Sequence, residues 1–98
     1  MGWPISFTAT AKKQLAKLDR SIADLITGFL SEKIANAADA RQFGHGLVGD
    51  LKGRWRYRIG DYRVLCELRD RELLVLVVAV GHRREIYRKE RMVNATQK

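Results

Sequence analysis

The chain has 98 residues, enough for one domain that buries roughly two-thirds of its unfolded surface in a modest core. A hydrophobic content of 46% excludes a disordered tail, and a net charge of +8 with a pI near 10.2 points to a polyanionic or acidic partner. The single cysteine, Cys66, excludes an internal disulfide and offers no metal-site spacing, so a reducing cytoplasm and no metal are expected.

Residues 3–7 read as a short first strand, and Pro4, which has no N–H to give a ladder, places it at an edge or a strand start. Thr8 or Thr10 caps a first helix carrying Ala11, Leu15 and Leu18 at helical spacing. Asp19, Arg20 and Ser21 interrupt it. A second helix is expected over residues 21–37, with Ile22, Leu25, Ile26, Phe29, Leu30 and Ile34 forming its apolar stripe. The pair would lie antiparallel on a sheet, with Lys12, Lys13 and Lys17 on the wet side. Residues 38–46 read as a connecting loop in which His45 sits between two glycines. Residues 47–53 lead onward, ending at Lys52 and Gly53.

From Arg54 to Ile59, charge and bulk alternate strictly. Side chains of a strand alternate between faces, so Trp55, Tyr57 and Ile59 share a core-facing side, and Arg54, Arg56 and Arg58 share the other. Gly60-Asp61 then gives a two-residue hairpin turn, and a second strand starts with Tyr62 and Arg63. Cys66 falls on its buried side, where an inert thiol is expected. Asp70-Arg71 is a turn, and residues 73–80, an apolar run of eight, read as a central strand too short to cross a membrane. His82, Arg83, Arg84 and Tyr87 follow Gly81, leading into a short C-terminal helix. The opening residues 1–5 lack the basic and apolar regions of a signal peptide. The expected fold is α+β, a single domain over residues 1–98. Two N-terminal helices pack on one face of a small, mainly antiparallel sheet in the order β-α-α-β-β-β, and the other face is free.

That other face carries the chemistry. Eleven of the twelve Arg residues lie at or after Arg41, whereas four of the seven Lys residues precede it. Arg is the better residue for bidentate phosphate contacts. Arg58 and Arg63 face each other beside the turn, where like charges repel unless an anion lies between them. Cleaving an RNA phosphodiester with its own 2′-hydroxyl requires a base, a cation for the pentacovalent phosphate and an acid for the leaving 5′ oxygen. The arginines suit the second role; His82 and Tyr87 are candidates for proton transfer. Taken alone, the alternating arginines also fit a solvated sheet face, and His82 also fits a turn cap.

The run 55–64, the apolar strand after it and the run 80–87 (Val80, Gly81, His82, Arg83, Arg84, Glu85, Ile86, Tyr87) together resemble the RelE toxins of the RelE/ParE superfamily, the toxin halves of toxin–antitoxin pairs. The resemblance implies a metal-independent, ribosome-dependent endoribonuclease that needs no small-molecule cofactor, cuts messenger RNA in the decoding site and is blocked by a cognate antitoxin. It implies site roles for Arg54, Arg56, Arg58, Arg63, Arg83 and Tyr87, joined by His82, with Lys52 and Arg84 binding RNA phosphate. The best-known members carry Lys where this chain has Arg54 and Arg56. Arg stays protonated, so these two read as phosphate clamps, and the base falls to Tyr87, His82 or a ribosomal group. Two other classes stand beside this one: a ParE-like toxin that poisons DNA gyrase without cutting RNA, and a non-enzymatic basic RNA-binding module.

Overall fold

In a computed structural model of the protein, residues 2–86 are described; the expected C-terminal helix beyond Ile86, Tyr87 included, lies outside them. The elements are β1 (Ile5–Phe7), α1 (Ala9–Ala16), α2 (Arg20–Phe29), β2 (His45–Gly46), β3 (Trp55–Ile59), β4 (Tyr62–Arg69) and β5 (Leu74–His82). They build a five-stranded sheet in the order β1-β5-β4-β3-β2, in which only β1 runs parallel to its neighbour. The two-helix, mainly antiparallel α+β architecture is therefore the one the sequence leads one to expect, with β2 added at one edge.

Local chemistry accounts for the starts and stops. Thr8 closes β1 by giving its N–H to the Val77 carbonyl at 2.9 Å, and its hydroxyl accepts the Ala11 N–H at 3.1 Å as the cap of α1. Beyond the end of β1, the Val80 N–H has no strand to bond, and the Gln14 side-chain oxygen accepts it at 2.7 Å. The expected second helix changes type part way. After Phe29 it continues as a π-helical turn over Leu30–Ile34, in which the Ala35 N–H reaches the Leu30 carbonyl at 2.8 Å. Ile26, Leu30 and Ile34 are all buried. In an α-helix, positions four apart overshoot by about 40° per step, so the wider turn keeps these three on one face.

The main core lies between the helices and one face of the sheet, where Ile26, Leu30 and Ile34 meet Tyr57, Val64, Cys66, Val75 and Val77. The Phe29 ring packs on Tyr57, with centroids 5.8 Å apart, and meets Phe43 edge-on at 6.3 Å. The opposite face is less open than the sequence suggests. A second cluster of Leu65, Ala79 and Ile86, flanked by Leu47, occupies part of it. Ile86 packs back against this face beneath Gly81, and β4 is buried from Arg63 to Cys66. A bulge between Leu65 and Cys66, paired with Ala79 and Val77, leaves Val78 out of register. The strand expected to begin at Leu73 begins at Leu74, because Leu73 adopts the left-handed conformation (φ +50°) that ends the 3-10 turn Asp70–Glu72.

Candidate functional site

The β3–β4 hairpin closes at Gly60, whose φ of +59° supplies the turn. Ile59 pairs with Tyr62, Arg58 with Arg63 and Tyr57 with Val64. The alternation then works as the sequence indicates. Tyr57 is buried toward the helices and donates its hydroxyl to the Ala40 carbonyl at 2.7 Å, while Trp55 Nε1 donates to the Phe43 carbonyl at 2.7 Å. Arg54, Arg56 and Arg58 turn to the other face. A strand rises about 3.3 Å per residue, so these three guanidinium groups span a stripe of about 13 Å.

The four hairpin arginines differ in their surroundings. Arg58 is exposed. Arg56 is half-buried, and its Nε is shielded from solvent. Arg54 lies 3.4 Å from a Glu67 carboxylate oxygen, and the other oxygen of Glu67 takes Arg69 Nε at 3.0 Å. Arg63 is only 8% exposed, and its Nη1 donates to the carbonyls of Gly60 at 2.9 Å and Tyr62 at 3.0 Å. Arg63 thus braces the turn from beneath while adding charge to the face.

The second motif reaches the same turn. The Arg83 N–H donates to the Asp61 carbonyl at 2.8 Å, and Arg83 Nε lies 3.7 Å from the Asp61 carboxylate. The Arg83 side chain is half-exposed beside the hairpin tip. Gly81, opposite Arg63, lets Ile86 fold under it: a Cβ there would stand 3.2 Å from Ile86 Cδ1. Arg58, Arg63 and Arg83 therefore gather at the hairpin end of the stripe. Lys52, exposed in the loop before β3, marks the other end.

His82 is not part of this grouping. It pairs with Tyr62, on the helix side of the sheet, and its ring meets Tyr62 edge-on at 5.5 Å. It lines a crevice with Gln14, Lys17, Leu18 and Glu85, and its Nδ1 accepts the Arg84 N–H at 3.2 Å. Strand parity accounts for this, since Gly81, opposite Arg63, falls on the arginine face and His82 next to it does not. Arg84 is exposed in the turn that His82 caps. Tyr87 lies outside the described residues.

One residue near the site escapes a sequence reading. His45 belongs to the short strand β2 and stands directly opposite Arg56. Two residues carry no periodicity, so the only signal is the flanking Gly44 and Gly46. Gly44 (φ +81°) leaves no room for a side chain: a Cβ would fall 2.2 Å from the Arg56 carbonyl oxygen.

Electrostatics elsewhere are structural. Burial pushes the Tyr57 hydroxyl and the Cys66 thiol above their usual ranges, which keeps both protonated and inert. Arg41 grips Asp70 through two hydrogen bonds, of 2.6 and 3.1 Å. That hydrogen-bonded pairing lowers the carboxyl and raises the guanidinium. The Arg41 guanidinium also lies 5.9 Å from the centre of the Trp55 ring. Among the described residues no group of three His, Cys, Asp or Glu side chains is arranged to hold a metal ion, and no helix is long and apolar enough to cross a membrane.

Comparison with known proteins agrees with this architecture. The family model for the ParE toxin of type II toxin–antitoxin systems matches residues 5–87. Toxin RelG of Mycobacterium tuberculosis is 30% identical over 89 residues, 91% of this chain and all of that protein. Toxin RelE of the same organism is 31% identical over 84 residues, 86% of this chain and 84% of that one. The toxin–antitoxin complex RelBE2 of M. tuberculosis contains a chain that superposes with a TM-score of 0.77 at 27% identity, covering 84% of this chain and 92% of that one. The isolated RelE toxin of E. coli, at 20% identity and a TM-score of 0.64, covers 82% of this chain and 83% of its own and shares the fold.

Proposed function

The chain belongs to the RelE/ParE superfamily as a toxin of a type II toxin–antitoxin system, and we propose that it acts as a ribosome-dependent endoribonuclease cutting messenger RNA in the decoding site. The observation that carries this reading is the stripe of Arg54, Arg56 and Arg58 ending where Arg63 and Arg83 meet at the hairpin tip. A row of guanidinium groups carried over about 13 Å of strand matches two or three phosphates of a single strand. The reaction would attach the ribose 2′ oxygen to phosphorus and release the 5′ oxygen. Arg58 and Arg83, the exposed and half-exposed members at the tip, stabilise the charge on the phosphate. Arg54, Arg56 and Lys52 hold the flanking backbone, with Arg84 at the periphery. Arg63 supports the turn and adds its charge from below. Tyr87, assigned through the family resemblance, orients the nucleotide, and His82 holds the turn that carries Arg83 and Arg84. The reading calls on no metal or cofactor.

Its partners would be a translating ribosome in the cytoplasm and a cognate antitoxin, since the solved relatives include a toxin–antitoxin complex. A second reading, gyrase poisoning, is favoured by the ParE heading of the matched family model. The RelG and RelE relatives favour ribonuclease action. Expressing the chain in cells and mapping messenger RNA 5′ ends separates them. Breaks within translated codons are expected; intact messages with gyrase-linked DNA breaks would transfer the assignment to the second reading.

A further inference from the structure

The arginines described on this face are charge stabilisers and do not serve as proton acceptors, because guanidinium groups stay protonated. The chain has two histidines, and the sheet register separates them. His82 pairs with Tyr62 on the helix side, whereas His45 pairs with Arg56. Directly opposed residues of an antiparallel pair point to the same face, with Cα atoms about 4.5–5.5 Å apart. The His45 imidazole therefore stands on the arginine face, exposed, beside the middle of the stripe.

The fold fixes that position firmly. Residues 40–44 are fastened to β3 from the helix side by Tyr57 Oη to the Ala40 carbonyl and Trp55 Nε1 to the Phe43 carbonyl, both 2.7 Å. The chain then passes so close to β3 that only glycine fits at position 44. On the far side of His45, the Leu47 N–H donates to the Arg54 carbonyl at 3.0 Å. These ties hold the backbone that carries His45 in place beside β3.

We propose that His45 is the general base of the reaction: it accepts the proton of the ribose 2′-hydroxyl while Arg56 and Arg58 hold the adjacent phosphate. This rests on the ribonuclease reading above. The neutral imidazole takes the 2′ proton as the O2′–P bond forms. The P–O5′ bond breaks and its electron pair leaves on O5′, which takes a proton from water. The products are a 2′,3′-cyclic phosphate and a 5′-hydroxyl, and the imidazolium then returns its proton to water. The charged groups facing His45 are Arg56 across the ladder, Arg54 and Arg58 two places to either side, and Glu67 beyond Arg54 on β4. None of these side-chain types ordinarily changes charge between pH 5 and 8, where imidazole does.

The test is single-turnover cleavage of messenger RNA on programmed ribosomes by wild type, His45→Gln and His82→Gln, with ribosome binding and thermal melting measured alongside. His45→Gln should bind and melt like wild type, cleave at least about 100-fold more slowly, and lack the rise in rate between about pH 5 and 8 expected of wild type. His82→Gln should keep that rise. Should His45→Gln cleave within threefold of wild type, or keep the same pH profile, His45 is not the base and the ribonuclease reading stands. Should wild type itself leave the RNA intact, both assignments fall together.

Discussion

Arg58 and Arg63 stand directly opposite each other across the hairpin, yet one is exposed and the other is 8% exposed and bonded to the carbonyls of Gly60 and Tyr62. Two like charges thus share one place in the sheet with different tasks. Replacing each by alanine should separate them. Arg58→Ala should change unfolding free energy by less than about 0.5 kcal/mol while abolishing growth arrest. Arg63→Ala should cost about 1–3 kcal/mol, because it strips two partly buried carbonyls of a donor. Urea unfolding and a plate assay for toxicity read the two effects.

Affinity for single-stranded RNA should fall steeply with salt. Each phosphate neutralised contributes a slope of about −0.7 in log K against log salt for a single strand. Alanine at Arg54, Arg56 or Arg58 should each reduce the slope by roughly that amount, measured by fluorescence anisotropy on a short oligonucleotide. A flat response in wild type would remove the phosphate role of the face.

Gly44→Ala should be among the most damaging single changes in the chain. Its φ of +81° strains any L side chain, and the new Cβ would lie 2.2 Å from the Arg56 carbonyl oxygen. A loss of more than about 2 kcal/mol is expected. Gly49 (φ +70°) has nothing within 4 Å of its Cβ position, so Gly49→Ala should cost only about 1 kcal/mol. Paired thermal melts make the comparison.

Alkaline pH should weaken the fold. Burial raises the Cys66 thiol and the Tyr57 hydroxyl above their ordinary values of 9.0 and 10.0. Below those values both states keep the proton and stability is unaffected. Above them the unfolded chain releases protons that the folded chain retains, so stability falls as pH rises. The melting temperature should decline from about pH 9 upward, and Cys66→Ala should flatten the early part of that decline.

Much of this was legible because alternation is a local signal. Arg54 to Ile59, the Gly60 turn and the facing of Arg58 with Arg63 all follow from period two and one glycine. The same parity assigns His82 to the helix side, but only once its pairing with Tyr62 is known, and that is a fact about two strands. His45 was hidden for a related reason, since a two-residue strand is defined by its partner alone. The cover over the second face comes from Ile86 folding under Gly81, a contact without periodic signature. The π-helical turn at Leu30–Ile34 answers to the burial of Ile34 against the sheet, which helical spacing does not distinguish from a continuous α-helix.

The parallel pairing of β1 with β5 has a consequence for how the toxin comes into being. Ile5 pairs with Val75, a separation of 75 − 5 = 70 residues. At about 5–20 residues per second of synthesis, the first strand waits roughly 4–14 s for its partner. Until β5 arrives, β4 has only β3 beside it, Arg83 has not reached Asp61, and the basic face is unfinished. A chain made only as far as β4 therefore lacks both the pairing that closes the β1 edge and the Arg83 end of the basic face.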